Sequence, residues 1–362
     1  MNRFFIYTIV LVLLVSCGYS QEEKERLSRE ERRRLQIEDS LALKICVLPT
    51  LDCLPMFVAK ERGWFAVDRE DIRLKPYNAQ MDCDVVLEKG LVEGSISDLI
   101  RTERLITKGL PLTYISSTNT YWQLIANKMA RVKKLGQLGD KMVAMTRFSA
   151  TDYLTDRTLE GVKTKAQVFR IQINDVTLRL KMLLNNEMDA LWLPEPQATM
   201  ARQHSNPVLR DSRDYKVNLG VLAFRSNAMR DKRRQKQLRA FVKAYNEAVD
   251  SINRLGLDHY SIIIQKYCGV DENTIKAIPK TMFRHVEKPS GADINLARQY
   301  VKALKSVNKK IYVRGIFRKT IACNSSRHPC NEGCSQEHGC FAQLDRSTCT
   351  DGIRFANGRY RE

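Results

Sequence analysis

Residues 41–68 read LALKICVLPTLDCLPMFVAKERGWFAVD. The first nine, LALKICVLP, are an apolar run of strand length that stops at Pro49, which predicts a buried strand. Pro55 to Arg62 predicts a helix. Pro55 stands in the first turn, where a missing N–H costs nothing, and Gly63 supplies the stop. A strand, the short loop Thr50-Leu51-Asp52-Cys53-Leu54 and a helix make half of a βαβ unit.

The same rhythm runs outward. IRLKPYN (72–78) predicts a second strand and Val85 to Gly90 a helical segment, and LVEGSISDLI (91–100) carries a short strand entering at Ser95 and leaving at Asp98. LTYISST (112–118), KMVAMT (141–146), AQVFRIQI (166–173) and DALWLP (189–194) predict further strands, with helices over 150–161 and 175–187 between the last three. GVLAFRSN (220–227) is the final strand. Strands separated by helices in this way indicate parallel βαβ units and an α/β fold class. Leu238, Phe241, Val242, Tyr245, Val249 and Ile252 then recur at three- and four-residue spacing, the apolar stripe of an amphipathic helix. Shorter helices are expected over 258–267, 272–278 and 292–306.

Upstream, residues 1–17 read MNRFFIYTIVLVLLVSC. Arg3 gives a positive start, and Phe4 to Val15 is apolar but too short for a stable membrane span. The Leu-Val-Ser-Cys ending resembles a bacterial lipobox. Residues 1–16 are therefore expected to be a lipoprotein signal peptide and Cys17 the lipidated residue. That places the protein on the periplasmic or cell-surface face of a bacterial membrane, with its lipid as anchor. Residues 17–40 are densely charged and read as a solvated tether.

The chain has 362 residues, enough for two lobes each with a core, and a formal charge of +19. The basic residues are spread without aromatic interleaving. Together with the export signal, this argues against a nucleic-acid partner. Ten cysteines are present. Cys46, Cys53, Cys83 and Cys268 read as small buried residues. Cys53 is the exception worth testing, because a helix start lowers a thiol pKa. Cys323, Cys330, Cys334, Cys340 and Cys349 crowd residues 321–362, a tail that reads as disordered or disulfide-linked.

Candidate site residues follow the strand ends, where α/β sheets bind ligands and helix N-termini favour anions. They are Thr50 and Asp52 after the first strand, Asp98 at the end of SISD, and Ser117, Thr118 and Trp122 after LTYISST. To these we add Phe148, Ser149 and Thr151 after KMVAMT, and Trp192 and Glu195 at the end of DALWLP. For the hydroxyl residues the alternative role is helix capping. Glu195 either meets a cationic ligand group or closes a contact between lobes. No GxSxG, HExxH or phosphate-loop motif is present, and the histidines have no metal spacing in the body. No catalysis, cofactor or metal is therefore expected.

Four segments together resemble one family. LPMFVAKERGWFAVD (54–68) resembles the first-helix signature of solute-binding proteins of the nitrate, taurine and sulfonate, and thiamine-precursor type. ISDLI (96–100), LGQLGDKMVAMTRFSATDYLTDRTLE (135–160) and LLNNEMDALWLPEPQATMA (183–201) resemble its later motifs in the same order, over residues 42–310. The resemblance implies a two-lobed periplasmic-binding-protein type II fold. Each lobe would be a mainly parallel sheet flanked by helices, with a hinge of two crossing segments. Lobe one would be 41–121 plus 217–310, and lobe two 122–216. It also implies a monomeric lipoprotein that captures a small organic solute, anionic or aromatic, and delivers it to an ABC permease in the membrane. The alternatives are a ligand-sensing lipoprotein without a transporter, or an enzyme of pyrimidine or menaquinone precursor synthesis on the same scaffold. Three departures fall at the pocket. Phe148 stands where the family usually has glycine, Ser97 precedes Asp98, and the first loop is Thr-Leu-Asp-Cys.

Overall fold

The computed structural model describes residues 21–66 and 70–304. All of them lie in the first of the chain's two units, which ends at Val307. The signal peptide, Cys17 and the cysteine-rich tail lie outside the described residues. Gln21–Leu41 forms helix α1, so the charged stretch is helical up to the first strand. Its last turns are fastened to the sheet. Asp39 receives the ammonium groups of Lys44 (2.9 Å) and Lys75 (3.2 Å) and the guanidinium of Arg73 (3.3 Å). These cations lower its pKa to about 2.

The first sheet contains β1 (Leu43–Val47), β2 (Ile72–Pro76), β3 (Gly94–Asp98), β4 (Leu112–Ser117) and β10 (Gly220–Arg225), in the order β2-β1-β3-β10-β4. β1 runs parallel to β2 and β3, whereas β10 is antiparallel to β3 and β4. The second sheet contains β5 (Trp122–Ala126), β6 (Met142–Met145), β7 (Phe169–Gln172), β8 (Ala190–Pro194) and β9 (Val208–Asp211), in the order β7-β6-β8-β5-β9. Here β6 is parallel to β7 and β8, and β5 is antiparallel to β8 and β9. Each sheet thus has one antiparallel strand in fourth place, and the chain crosses between sheets over 118–121 and 212–219.

Helices α2 (Leu54–Glu61), α3 (Gln80–Glu88) and α4 (Leu99–Thr107) follow strands of the first sheet. Helices α5 (Ala150–Leu159), α6 (Val176–Leu184) and α7 (Gln197–Gln203) follow strands of the second. The apolar stripe becomes α8 (Lys232–Leu255), capped by Asp231, whose carboxylate accepts the Arg234 N–H at 2.8 Å. Phe241, Tyr245, Val249 and Ile252 of that stripe are buried with Leu43, Ile45 and Phe57, while Leu238 and Val242 pack at the margin. Helices α9 (Ser261–Cys268) and α10 (Glu272–Ala277) follow, and a last helix, α11, covers 291–304. α11 touches both lobes, since Arg298 reaches Glu103 at 3.1 Å and the Tyr300 hydroxyl donates to Asp156 at 2.5 Å.

Two strands have no counterpart in the sequence reading. β5 and β9 are short and find partners only far along the chain, so local periodicity does not mark them. Their effect is to put the antiparallel strand of the second sheet directly after the first crossing. The two lobes are also joined by packing. Leu99 and Ile100 of α4 are fully buried in one cluster with Ala150, Tyr153 and Leu154 of α5. Such burial is worth about 1.5–3 kcal/mol for each large side chain.

Candidate functional site

One cleft lies where the C-terminal ends of both sheets meet, enclosing about 560 Å³ with its open mouth included. The first lobe contributes Thr50 and Asp52 after β1, Asn78 and Gln80 after β2, and Ser97, Asp98 and Arg101 around the β3–α4 junction. The second contributes Trp122 at the start of β5, Thr146, Ser149 and Thr151 after β6, Asn174 and Arg179 around the β7–α6 junction, and Pro194 of β8, while Thr120 comes from the first crossing. The lobes are closed over it. The Leu51 N–H donates to the Glu195 carbonyl at 2.8 Å, Gln197 Nε2 donates to the Pro49 carbonyl at 2.7 Å, and Ala79 and Asp175 form an antiparallel backbone bridge.

The charged groups of the cleft are nearly all buried. Asp98 caps α4 by accepting the Arg101 N–H at 2.9 Å, and its carboxylate also accepts the Ala150 N–H at the start of α5. Desolvation nevertheless pushes its pKa up to about 6. Arg101 forms an ion pair with Asp84 beneath the wall. Arg179 of α6 donates from Nη1 to the Trp192 carbonyl at 2.7 Å, and the Asp175 carboxylate that caps α6 acts on it electrostatically. Burial lowers its pKa to about 10. Asp52 accepts from the Thr118 hydroxyl at 3.1 Å through one oxygen, and burial raises its pKa.

Four buried polar atoms of the cleft have no hydrogen-bond partner: Asp52 Oδ1, Ser97 Oγ, Arg101 Nε and Arg179 Nε. Their residues are only 7, 7, 3 and 5 % exposed. A buried polar atom left unpaired costs about 1–3 kcal/mol. Such costs persist where a ligand supplies the missing partner.

Of the residues expected from sequence, Thr50, Asp52, Asp98, Trp122, Ser149 and Thr151 line this cleft. The capping role of the hydroxyls is seen at α5. Ser149 Oγ accepts the Thr151 N–H at 3.1 Å as the cap, Thr151 Oγ1 accepts the Thr146 N–H at 2.9 Å, and both side chains still face the cleft. Thr118 stands behind the wall and holds Asp52. The remaining four are placed elsewhere. Ser117 bonds the Glu287 carbonyl through its N–H (2.6 Å) and hydroxyl (3.2 Å), which turns it toward the segment before α11. Trp192 is fully buried in the core, because alternation along β8 aims it at α5, and its indole N–H donates to Thr155 Oγ1 at 2.9 Å. The carboxylate of Glu195 is filled by the Tyr121 hydroxyl (2.9 Å), Arg202 (2.9 Å) and Thr199 (3.0 and 2.7 Å), so its part is the lobe–lobe contact through its carbonyl. Phe148 lies under the guanidinium of Arg104 from the other lobe, 4.5 Å from ring centroid to cation, and clamps the lobes. Its φ of 58° is left-handed, the conformation glycine takes without strain.

The Cys53 thiol is buried, and both burial and the Asp52 charge push its pKa well up, so the helix start does not activate it. Cys46, Cys83 and Cys268 are likewise free and buried. Arg101 and Arg179 went unremarked in the sequence. The signal was there in α6, VTLRLKMLL, where an arginine stands amid apolar residues on the inward face.

The fold has known counterparts. The ligand-binding component of an ABC-type import system from Staphylococcus aureus, solved with zinc bound, superposes with a TM-score of 0.60 at 14% identity, covering 73% of this chain and 92% of that one. The periplasmic aliphatic sulphonate binding protein SsuA from Escherichia coli gives 0.61 at 14%, covering 74% and 92%. The periplasmic nitrate-binding protein NrtA from Synechocystis PCC 6803 gives 0.54 at 15%, covering 65% and 68%. Identities this low carry the fold alone, which is the two-lobed periplasmic-binding-protein type II architecture. No curated protein matches the chain. The family model described as NMT1/THI5 like matches residues 50–253, more than half of the chain. The chain belongs to the NMT1/THI5-like family.

Proposed function

We propose that this protein is the solute-binding subunit of an ABC importer, capturing a small organic solute in its interlobe cleft and delivering it to a membrane permease. In this reading it works as a monomer outside the cytoplasm, anchored through lipid on Cys17. Residues 41–121 plus 217–310 form one moving lobe and 122–216 the other. Thr50, Asp52, Asp98, Trp122, Ser149 and Thr151, joined by Ser97, Arg101 and Arg179, contact the solute. The observation that carries the reading is that four residues with unpartnered buried polar atoms line one closed cleft. Family membership supports it, as do the importer components among the structural neighbours.

An anionic group suits the site better than a planar ring. Of Trp122, Phe148 and Trp192, only Trp122 lines the cleft, whereas Arg179 offers an unbonded N–H donor. Native mass spectrometry of protein purified gently from its own host tests the reading. A reproducible adduct of small-molecule mass, lost on partial unfolding, is expected. A bare protein that also shows no thermal shift with sulfonates, pyrimidines or flavins would refute it.

A further inference from the structure

Two of the four buried thiols of the body meet. Cys46 stands on β1, opposite Ser95 of β3, and Cys83 stands on α3. Their thiols are in hydrogen-bond contact, with the Ser95 hydroxyl also bonded to Cys83. Both are fully buried, in a small apolar cluster with Leu87, Val92 and Leu105. The other two thiols are placed differently. Cys53 Sγ meets the Thr50 hydroxyl at 3.7 Å, and Cys268 is buried in the larger first-lobe core.

We propose that Cys46 and Cys83 are a disulfide site, joined as the chain folds in an oxidising compartment. The inference rests on the reading that places this protein outside the cytoplasm, where disulfides form and persist. One cysteine thiolate attacks the disulfide of an oxidant, a small-molecule disulfide or a thiol–disulfide oxidoreductase, and forms a mixed disulfide with release of one thiol. The thiolate of the second cysteine attacks that mixed disulfide, releases the other thiol and leaves the Cys46–Cys83 bond. Two protein thiols are thereby oxidised, and the oxidant's disulfide is reduced to two thiols that carry away their protons. The sulfurs need only close from contact to about 2.05 Å. Burial and the contact with Cys46 push the Cys83 pKa well up, so the folded protein holds little thiolate there. Oxidation therefore precedes closure of the cluster, and the finished bond is shielded from reductants. The bond links two parts of one cleft wall. β1 leads into Thr50 and Asp52, while α3 begins at Gln80, next to Ala79 of the backbone bridge to Asp175. Joining them closes a loop that holds α2 and β2 and fixes the rim of the first lobe to its sheet.

The test is peptide mapping of the full chain. Protein that has been reduced and unfolded, then refolded in a glutathione redox buffer, is alkylated under denaturing conditions and digested. A linked Cys46–Cys83 peptide pair is expected, about 2 Da lighter than its two peptides together and split by reductant, with Cys53 and Cys268 alkylated. Protein taken from its own host, its thiols trapped by acid at lysis, should carry the same link. The mass of its N-terminal peptide shows separately whether residues 1–16 have been removed. Free thiols at Cys46 and Cys83 in processed host protein overturn the proposal, as does a dominant link from either one to another cysteine. Free thiols in unprocessed host protein, with the link present after refolding, uphold the pair and overturn the export reading. Free thiols in both preparations of an unprocessed chain overturn both. If the chain does not refold, the same map of the chain directed to an oxidising periplasm by a heterologous signal decides, a link upholding the pair and free thiols overturning it.

Discussion

The two sheets share a strand order, with an antiparallel strand in fourth place, and they present matching loops to one cleft. The walls they build differ. The first-lobe wall carries carboxylates, Asp52 and Asp98, with Arg101 tied to Asp84 below. The second-lobe wall carries hydroxyls, Thr146, Ser149 and Thr151, and the buried Arg179. The ends of the third strands show the contrast most clearly. Asp98 ends β3 at the cleft surface and caps the next helix. Glu195, just past β8, is consumed by Tyr121, Thr199 and Arg202. One topology therefore sets where residues can meet a ligand, while the side chains on each wall set which ligand group it meets.

Four substitutions sharpen or break this contrast. The largest effect is expected at Trp192, which separates core from wall. Trp192→Ala should cost about 3–5 kcal/mol of stability in chemical denaturation, with the affinity of the folded fraction unchanged. A selective loss of affinity would put the ring back in the site. Next is the acidic wall. The Asp98 pKa is raised to about 6 in the folded protein from 3.8. Its contribution to stability is therefore present below about pH 4 and lost as pH rises through about 6, a difference on the order of 2–3 kcal/mol. Asp98→Asn should flatten the corresponding part of the pH–stability curve between pH 4 and 7, read as the wild-type-minus-variant difference. An unchanged slope would remove Asp98 from the buried wall.

On the cationic wall, Arg179→Gln should weaken solute binding by about 10–100-fold, the loss of one charge-assisted hydrogen bond. The empty protein should change little in stability, since the lost hydrogen bond to the Trp192 carbonyl is offset by removal of a desolvated charge. Lower stability with unchanged affinity would assign Arg179 to structure. The smallest effect is expected at the clamp between the walls. Phe148→Gly should be more stable than Phe148→Ala by about 1 kcal/mol, because only glycine takes the left-handed φ freely. Equal melting temperatures would show that no strain resides there.

Much of this architecture is legible in the sequence where the signal is local. Pro49, Pro55 and Gly63 punctuate β1 and α2, and the stripe from Leu238 to Ile252 marks α8 before any contact is known. β5 and β9 were not legible, since their pairing partners lie far along the chain. Of the cleft lining, residues just past strand ends are legible, because that position follows from α/β topology. Arg101 and Arg179 were missed because they sit a turn inside their helices, where an arginine ordinarily reaches solvent. Trp192 and Glu195 were placed in the site for their chemistry. Which face of β8 a side chain takes, and which neighbours fill a carboxylate, are set by packing that a single sequence does not display.

The most direct test of the account is native mass spectrometry of the wild-type protein and Arg179→Gln, both purified from the native host under the same conditions. The account predicts a small-molecule adduct on the wild type that is absent or strongly reduced on the variant, with both proteins folded. An adduct of equal mass and occupancy on both would contradict it, and would show that the solute is held without the buried arginine of the second lobe.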